Sequence, residues 1–238
     1  MAGHTNFILN TIEPSVAARL QPHLALVHLR HGQVLADTHQ RVQKVYFPHN
    51  GIISNVVQLS NGGSIETAMI GNDGAFGAGQ ALDGRISLNR VVVQVPGTAS
   101  VIEAGRLCEL AVALPALRAL LMKYEQFFSA QVQQAVACNA VHDVQNRTCK
   151  WLLRMHDLVG ADLSLTQEFL AEMMGVRRTS VTAVAGDLQK QGMITYRRGH
   201  IHVNDLERVR QHACECDDAI HSHHRRIFSS ELPRSLSA

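Results

Sequence analysis

The sequence predicts an α+β fold in three successive parts. An antiparallel β sandwich or roll comes first, then a long helical stretch, then a small unit that reads helix, turn, helix, hairpin. Three observations predict it. Twelve of the 17 glycines and four of the six prolines precede residue 113, which punctuates that half into short strands. Between Pro115 and Gly160 neither residue occurs. Beyond Gly160, glycine returns at spacings that end two short helices and turn one hairpin.

The segments ALVHLRHGQVL, KVYFPHNGIISNVVQLS, GSIETAMIG and RVVVQVPGTASVIEA each hold a β-branched or alternating run bounded by Gly, Asn or Pro. A short helix is expected at Pro14–Leu20, ahead of them. In the glycine-free stretch Leu117, Leu121, Tyr124, Phe128, Gln131, Ala135, Cys138 and His142 follow 4–3 spacing, with Phe127, Val132, Val136 and Val141 beside them. One unbroken helix there would be about 66 Å long, too long for one domain. A break is expected at Asp143–Asn146, where short polar side chains cluster. The stripe suits packing on the roll. Its breadth, with Ala135 and Ala137, also suits self-association. The boundaries expected are 1–112 for the roll, 113–146 for the long helix and hinge, and 147–238 for the last unit.

The chain has 238 residues, 46% of them hydrophobic and 18% charged, with a formal net charge of +2. That composition excludes a chain that is mainly disordered. No apolar run reaches the roughly 18–20 residues of a membrane span. MAGHTNFILNTIEPS has neither the basic start nor the apolar core of a signal peptide, so a cytoplasmic location is expected. The five cysteines are an odd number in a long chain and suit a reducing compartment. Basic residues gather between 174 and 210. Arg177, Arg178, Lys190, Arg197, Arg198, Arg208 and Arg210 face only Asp187, Asp205 and Glu207 there. Such a local excess attracts phosphate even on a nearly neutral protein.

The segment QEFLAEMMGVRRTSVTAVAG fits a helix-turn-helix. Thr166 can cap the first helix, and Ala171 is the small residue where the helices cross. Gly175 takes the turn. Leu170, Met174, Val176, Val181 and Val184 supply the inward apolar set. The second helix, from about Arg178 to Gln191, then turns Arg178, Thr179, Ser180 and Thr182 outwards at its start, where a recognition helix meets base edges. The segment MITYRRGHIHV follows as a hairpin with Arg197 and Arg198 at its tip, which makes the unit a winged helix-turn-helix.

On these residues the chain resembles the Crp/Fnr regulators, the cyclic-AMP-receptor-like bacterial transcription factors. The resemblance runs from the Gly-rich strands through DVQNRTCKWLLRMHD to the wing, and LTQEFLA…GVRRTSVT is its most specific part. It implies a jelly roll of the cyclic-nucleotide-binding kind, a dimerisation helix and a homodimer on a palindromic operator. It also implies RNA polymerase as a further partner. Recognition helices of such a dimer sit about 34 Å apart. Arg178 matches an arginine that contacts guanine in the family. Thr179 stands at its glutamate position, Ala183 at a later base-reading arginine, and Arg177 at a usual small polar cap. A different operator is therefore expected. Arg198 and His200 are phosphate or minor-groove candidates, and Arg177 is a phosphate candidate.

The family's cyclic-nucleotide pocket uses a Gly-Glu turn and an Arg-Ser pair. The matching stretch here, IGNDGAFGAGQALDGRISLNRVVVQV, offers Gly71, Gly74, Gly77 and Gly79 for the turn and Arg85 or Arg90 for an anion. It holds no glutamate, and neither arginine precedes a serine. Val132 and Gln133 stand where small hydroxyl residues of the long helix close such a pocket. The effector expected is therefore not cyclic AMP, and no cofactor is assigned. An N-terminal cysteine cluster for an iron–sulfur centre is absent, since the first cysteine is Cys108. Haem stays open among 14 histidines, His28 and His142 included. Cys214 and Cys216 with His212, His221, His223 and His224 suggest zinc, but Cys-x-Cys within a helix would point the thiols apart, so no metal is expected. HIHVNDLE imitates a cupin metal motif through His200, His202 and Glu207, yet follows the helix-turn-helix instead of lying in the roll. A regulator is expected, and no enzyme. The alternatives are a ligand-binding roll without DNA function and, last, a cupin.

Overall fold

The computed structural model describes residues 6–229 apart from Arg85 and the side chain of Asp83. The sequence also leads one to expect fraying from about Ser229, and all of that end but Ser229 itself lies outside the described residues, as does the anion candidate Arg85. Two small helices, α1 (Phe7–Thr11) and α2 (Pro14–Leu20), lead into the strands β1 (Ala25–Leu29), β2 (Val34–Ala36), β3 (Lys44–Pro48), β4 (Ile52–Gln58) and β5 (Ser64–Ile70). Helix α3 (Ala78–Asp83) interrupts them before β6 (Arg90–Val95) and β7 (Gly97–Glu103). All pairings are antiparallel, in sheets of order β1-β7-β3 and β2-β6-β4-β5. One side of each sheet faces the other sheet, and β4 and the end of β5 are buried on both sides. Leu29, Ile53, Ile70, Phe76, Val91 and Val93 meet in the space between the two sheets.

Helix α4 (Ala104–Ala113) leads to α5 (Pro115–Val141) and α6 (Val144–Val159). Pro115 opens α5 as a first-turn residue with no N–H to lose. The break falls where the short polar cluster places it. His142 leaves the helix in extended geometry, and Asp143 Oδ1 accepts the Asn146 N–H at 2.8 Å to cap α6.

The apolar stripe of α5 is spent inside the chain. Leu117, Leu121 and Tyr124 are buried against the roll. Phe127 sits under α10 (Cys216–Phe228), where its ring meets His224 at 5.0 Å and Phe228 at 6.1 Å between centroids. Of the two readings of the stripe, packing within the chain is the one this geometry shows. The stripe's 4–3 positions face the roll and α10, while Met122, Val136 and Val141 on the flanks are exposed.

The last unit holds β8 (Asp162–Ser164), α7 (Gln167–Met174), α8 (Arg178–Lys190), β9 (Ile194–Arg197), β10 (His200–Val203) and α9 (Leu206–His212). Its strands form a sheet of order β8-β10-β9. This unit rests on the β4–β5 hairpin. Met69 and Val56 of the roll share one core with Trp151, Leu152, Leu170 and Met174. Arg154 of α6 donates to the Met69 carbonyl at 3.0 Å and pairs with Asp73 at 2.8 Å.

Glu66 of β5 lies in the same seam. It accepts from Ser54 Oγ at 2.5 Å and from Trp151 Nε1 at 3.0 Å. Burial pushes its carboxyl up to about 7 from the ordinary 4.5, against those two hydrogen bonds. The folded state then binds more protons than the unfolded one between those values, so this contribution is complete below about pH 4.5 and is lost as pH rises through about 7. Glu66→Gln should therefore gain stability over wild type at pH 8, on the order of 3 kcal/mol, and none at pH 4. Denaturant melts at both pH values check it. An equal change at both would contradict the protonation account.

Candidate nucleic-acid interface

The candidate surface is built from three local signals. Thr166 caps α7, its hydroxyl oxygen accepting the Phe169 N–H at 3.1 Å. Gly175 then turns the chain at φ +64°, and a Cβ there would lie 3.1 Å from Ile65 Cδ1 of the roll hairpin. The positive φ favours glycine, and a side chain there would also press on Ile65. Arg177 begins α8 with no side-chain cap, as the missing polar residue predicts.

Leu170, Ala171, Met174 and Val181 are buried at the crossing, and Val176 and Val184 are half-buried. That packing turns the other side of α8 to solvent. Arg177, Arg178, Thr179 and Thr182 are exposed, and Ser180 is half-buried. The Thr182 hydroxyl donates to Gln167 Oε1 at 2.8 Å. Arg178 lies 3.6 Å from Glu168, with both side chains largely in water. Such a pair contributes about 0–1 kcal/mol, so the guanidinium is released to another partner at small cost.

The wing turns on Arg198 and Gly199, both at positive φ, between the paired residues Arg197 and His200. This is the geometry of a two-residue hairpin whose twist suits the strands. Arg197, Arg198 and His200 are all exposed, and His200 Nδ1 is 3.2 Å from Ser164 Oγ. The eight predicted contact residues thus lie along one helix start and one hairpin of a single unit.

The effector candidates do not converge. The roll has a cavity of about 780 Å³ under α5, lined by Asn55, Phe76, Gly79, Arg118, Glu125 and Phe128 among others. Gly77 and Gly79 border it. Gly71 instead packs on Leu158, and Gly74 on the Tyr124 ring. Arg90 pairs with Asp37 at 3.3 Å. Val132 and Gln133 lie beyond the part of α5 that crosses the cavity, because that part ends at Phe128. Sequence reasoning missed Glu125. Its carboxylate accepts the Gly79 N–H at 2.8 Å, and burial holds its pKa above the ordinary value. A glutamate does stand at this glycine turn, but it comes from the helix opposite.

A second cavity, of about 320 Å³, lies in the seam between the roll and α6, bordered by Glu66, Trp151, Arg154 and His221. His221 faces Asp157 at 3.3 Å and Asp217 at 3.5 Å. Its pKa is raised, first by the hydrogen bond to Asp157.

Residues 146–212 match the Crp-like helix-turn-helix domain family. By sequence the chain matches no curated protein. Solved structures do resemble it. FixK2 from Bradyrhizobium japonicum aligns with a TM-score of 0.69 at 14% identity, over 80% of this chain and 98% of that one. CLP of Xanthomonas campestris, a c-di-GMP responsive global regulator, gives 0.64 at 14%, over 80% and 99%. TTHA1359, a Crp/Fnr-family transcriptional regulator of Thermus thermophilus, gives 0.62 at 19%, over 79% and 98%. At these identities the likeness is one of fold. Residues 146–212 are a Crp-like helix-turn-helix DNA-binding domain, and the chain has the fold of the Crp/Fnr transcription regulators.

Proposed function

We propose that the chain acts as a homodimer on a palindromic operator, with α8 in the major groove and the wing against the adjacent backbone. The observation that carries this is the outward start of α8 beside an arginine-tipped hairpin, both held on one buried core. Arg178 reads guanine, and Thr179, Ser180 and Thr182 meet neighbouring edges or sugar. Arg177, Arg197, Arg198 and His200 contact phosphate. The copies join through the exposed flank of α5, where Met122 and Val136 need cover. RNA polymerase is the partner implied for a bound regulator. Among the described residues, no helix is long and apolar enough to cross a membrane, and the work proposed is in the cytoplasm.

The effector site proposed is the cavity between the roll and α5. The Glu125 carboxyl occupies the Gly79 amide at the start of α3, a donor that a bound anion would otherwise take, which supports an effector other than cyclic AMP. A regulator without enzymatic activity is the reading supported here. Among the described residues, His200, His202 and Glu207 do not form a ligand group. His202 is taken by Asp162 at 2.6 Å.

Footprinting of the purified protein on genomic fragments, with and without cyclic AMP, tests the reading. A protected two-fold site, unchanged by cyclic AMP, is expected. Arg197→Ala should weaken operator and random duplex by the same factor and lower the salt slope by about 1. A loss confined to the operator would show that Arg197 reads bases.

A further inference from the structure

Four side chains with metal-ligand chemistry meet at the bend after α5. Cys138 lies in the last turn of that helix, and His142 is its C-cap residue, whose N–H donates to the Cys138 carbonyl at 3.1 Å. Cys214 stands in the turn after α9, and Cys216 is the first residue of α10. Cys138 Sγ is 3.6 Å from Cys214 Sγ, and Cys216 Sγ is 3.6 Å from His142 Nδ1. The four ligand atoms all lie within 4.8 Å of one another, and the three thiols are buried.

Those spacings fit one ion. Tetrahedral zinc with Zn–S about 2.3 Å and Zn–N about 2.0 Å sets its ligand atoms roughly 3.6–3.8 Å apart. We propose that Cys138, His142, Cys214 and Cys216 bind one zinc ion as a closed Cys₃His site. Binding releases three thiol protons to solvent and uses the Nδ1 lone pair, with no change of oxidation state.

The surroundings suit that ion. Glu215 Oε1 lies 3.2 Å from His142 Nε2 and takes its N–H, which leaves Nδ1 free to ligate. Gln134 Nε2 donates to Cys216 Sγ at 3.1 Å. Three sulfurs and an imidazole select zinc over the hard divalent cations. A disulfide between Cys138 and Cys214 would use two of the four groups and leave Cys216 and His142 without a role.

The sequence expectation against metal is corrected at one point. Cys-x-Cys does not lie within a helix, because Glu215 is the N-cap of α10 and Cys214 precedes it. The other predicted ligands are elsewhere. His221 faces Asp157 and Asp217, and His224 packs among Phe7, Phe127 and Phe228. An ion here ties the end of α5 to the segment that follows the winged unit, across the Asp143 break.

The test is cobalt and zinc binding to the full chain, purified without oxygen and reduced. One cobalt per chain is expected, with near-ultraviolet sulfur-to-cobalt charge transfer and the visible bands of tetrahedral cobalt, both abolished as one equivalent of zinc displaces it. Cys214→Ser and His142→Ala should lose zinc to a chelator that wild type resists, whereas Cys108→Ser, remote from the cluster, should keep it. Wild-type cobalt binding without charge-transfer bands would overturn the site. So would retention of zinc by Cys214→Ser at wild-type affinity, or a Cys138–Cys214 disulfide in the anaerobic protein.

Discussion

Arg178→Ala should lower affinity for the operator roughly 5–150-fold, the equivalent of about 1–3 kcal/mol for a bidentate arginine–guanine contact. Affinity for random duplex should fall little. The side chain is exposed at the start of α8, and its partner Glu168 is a weak surface pair. The substitution therefore removes the proposed reading group without disturbing the core behind it, where Val181 and Ala185 are packed. Competition binding at fixed salt measures both affinities. Unchanged preference for the operator in this variant would remove α8 from the reading role. Lysine at 178 should recover charge but not the two-pronged geometry, so Arg178→Lys is expected to restore random-duplex binding before preference.

Trp151→Ala should cost about 3–5 kcal/mol, the range for deleting a buried large aromatic. Trp151 is 7% exposed, the sole tryptophan of the chain, and the one indole that reaches Glu66 across the seam. Its loss opens a void among Val56, Met69 and the helices of the last unit. Trp151→Phe keeps most of the bulk and removes the N–H, so it should cost about 1–2 kcal/mol, the share of a hydrogen bond to a group that is charged above pH 7. Circular dichroism melts separate the two. A cost below about 1 kcal/mol for Trp151→Ala would show that the seam collapses freely around the gap. Separate transitions for roll and winged unit would show that the seam had opened while both parts stayed folded.

Much of this architecture is legible in local chemistry. Thr166, Gly175 and the Arg198–Gly199 turn each specify their own neighbourhood, and the structure uses each as predicted. Asp143 does the same for the break, through a cap that needs only Asn146. Helices α3 and α4 were harder to read. Gly77 and Gly84 flank the first, and Gly105 stands in the first turn of the second, so both carry the punctuation of turns. Pairings distant in sequence left no local trace. Glu125 meets Gly79 across 46 residues, and Cys138 meets Cys214 across 76. The stripe on α5 was visible as a stripe. Its partner was not, because period alone does not say whether roll, α10 or a second copy covers it.

The contact of Gly175 with Ile65 makes the reading head and the roll share a surface far from any base. A swing of the winged unit about Asp143 has to open that contact together with the Trp151–Glu66 and Arg154–Asp73 links of the seam. Whatever free energy the contact holds is thus a toll on every orientation in which the unit stands away from the roll. Thermodynamic reciprocity follows: if DNA prefers the detached orientation, a tighter Ile65 seat weakens operator affinity, and operator binding loosens the seat by the same factor.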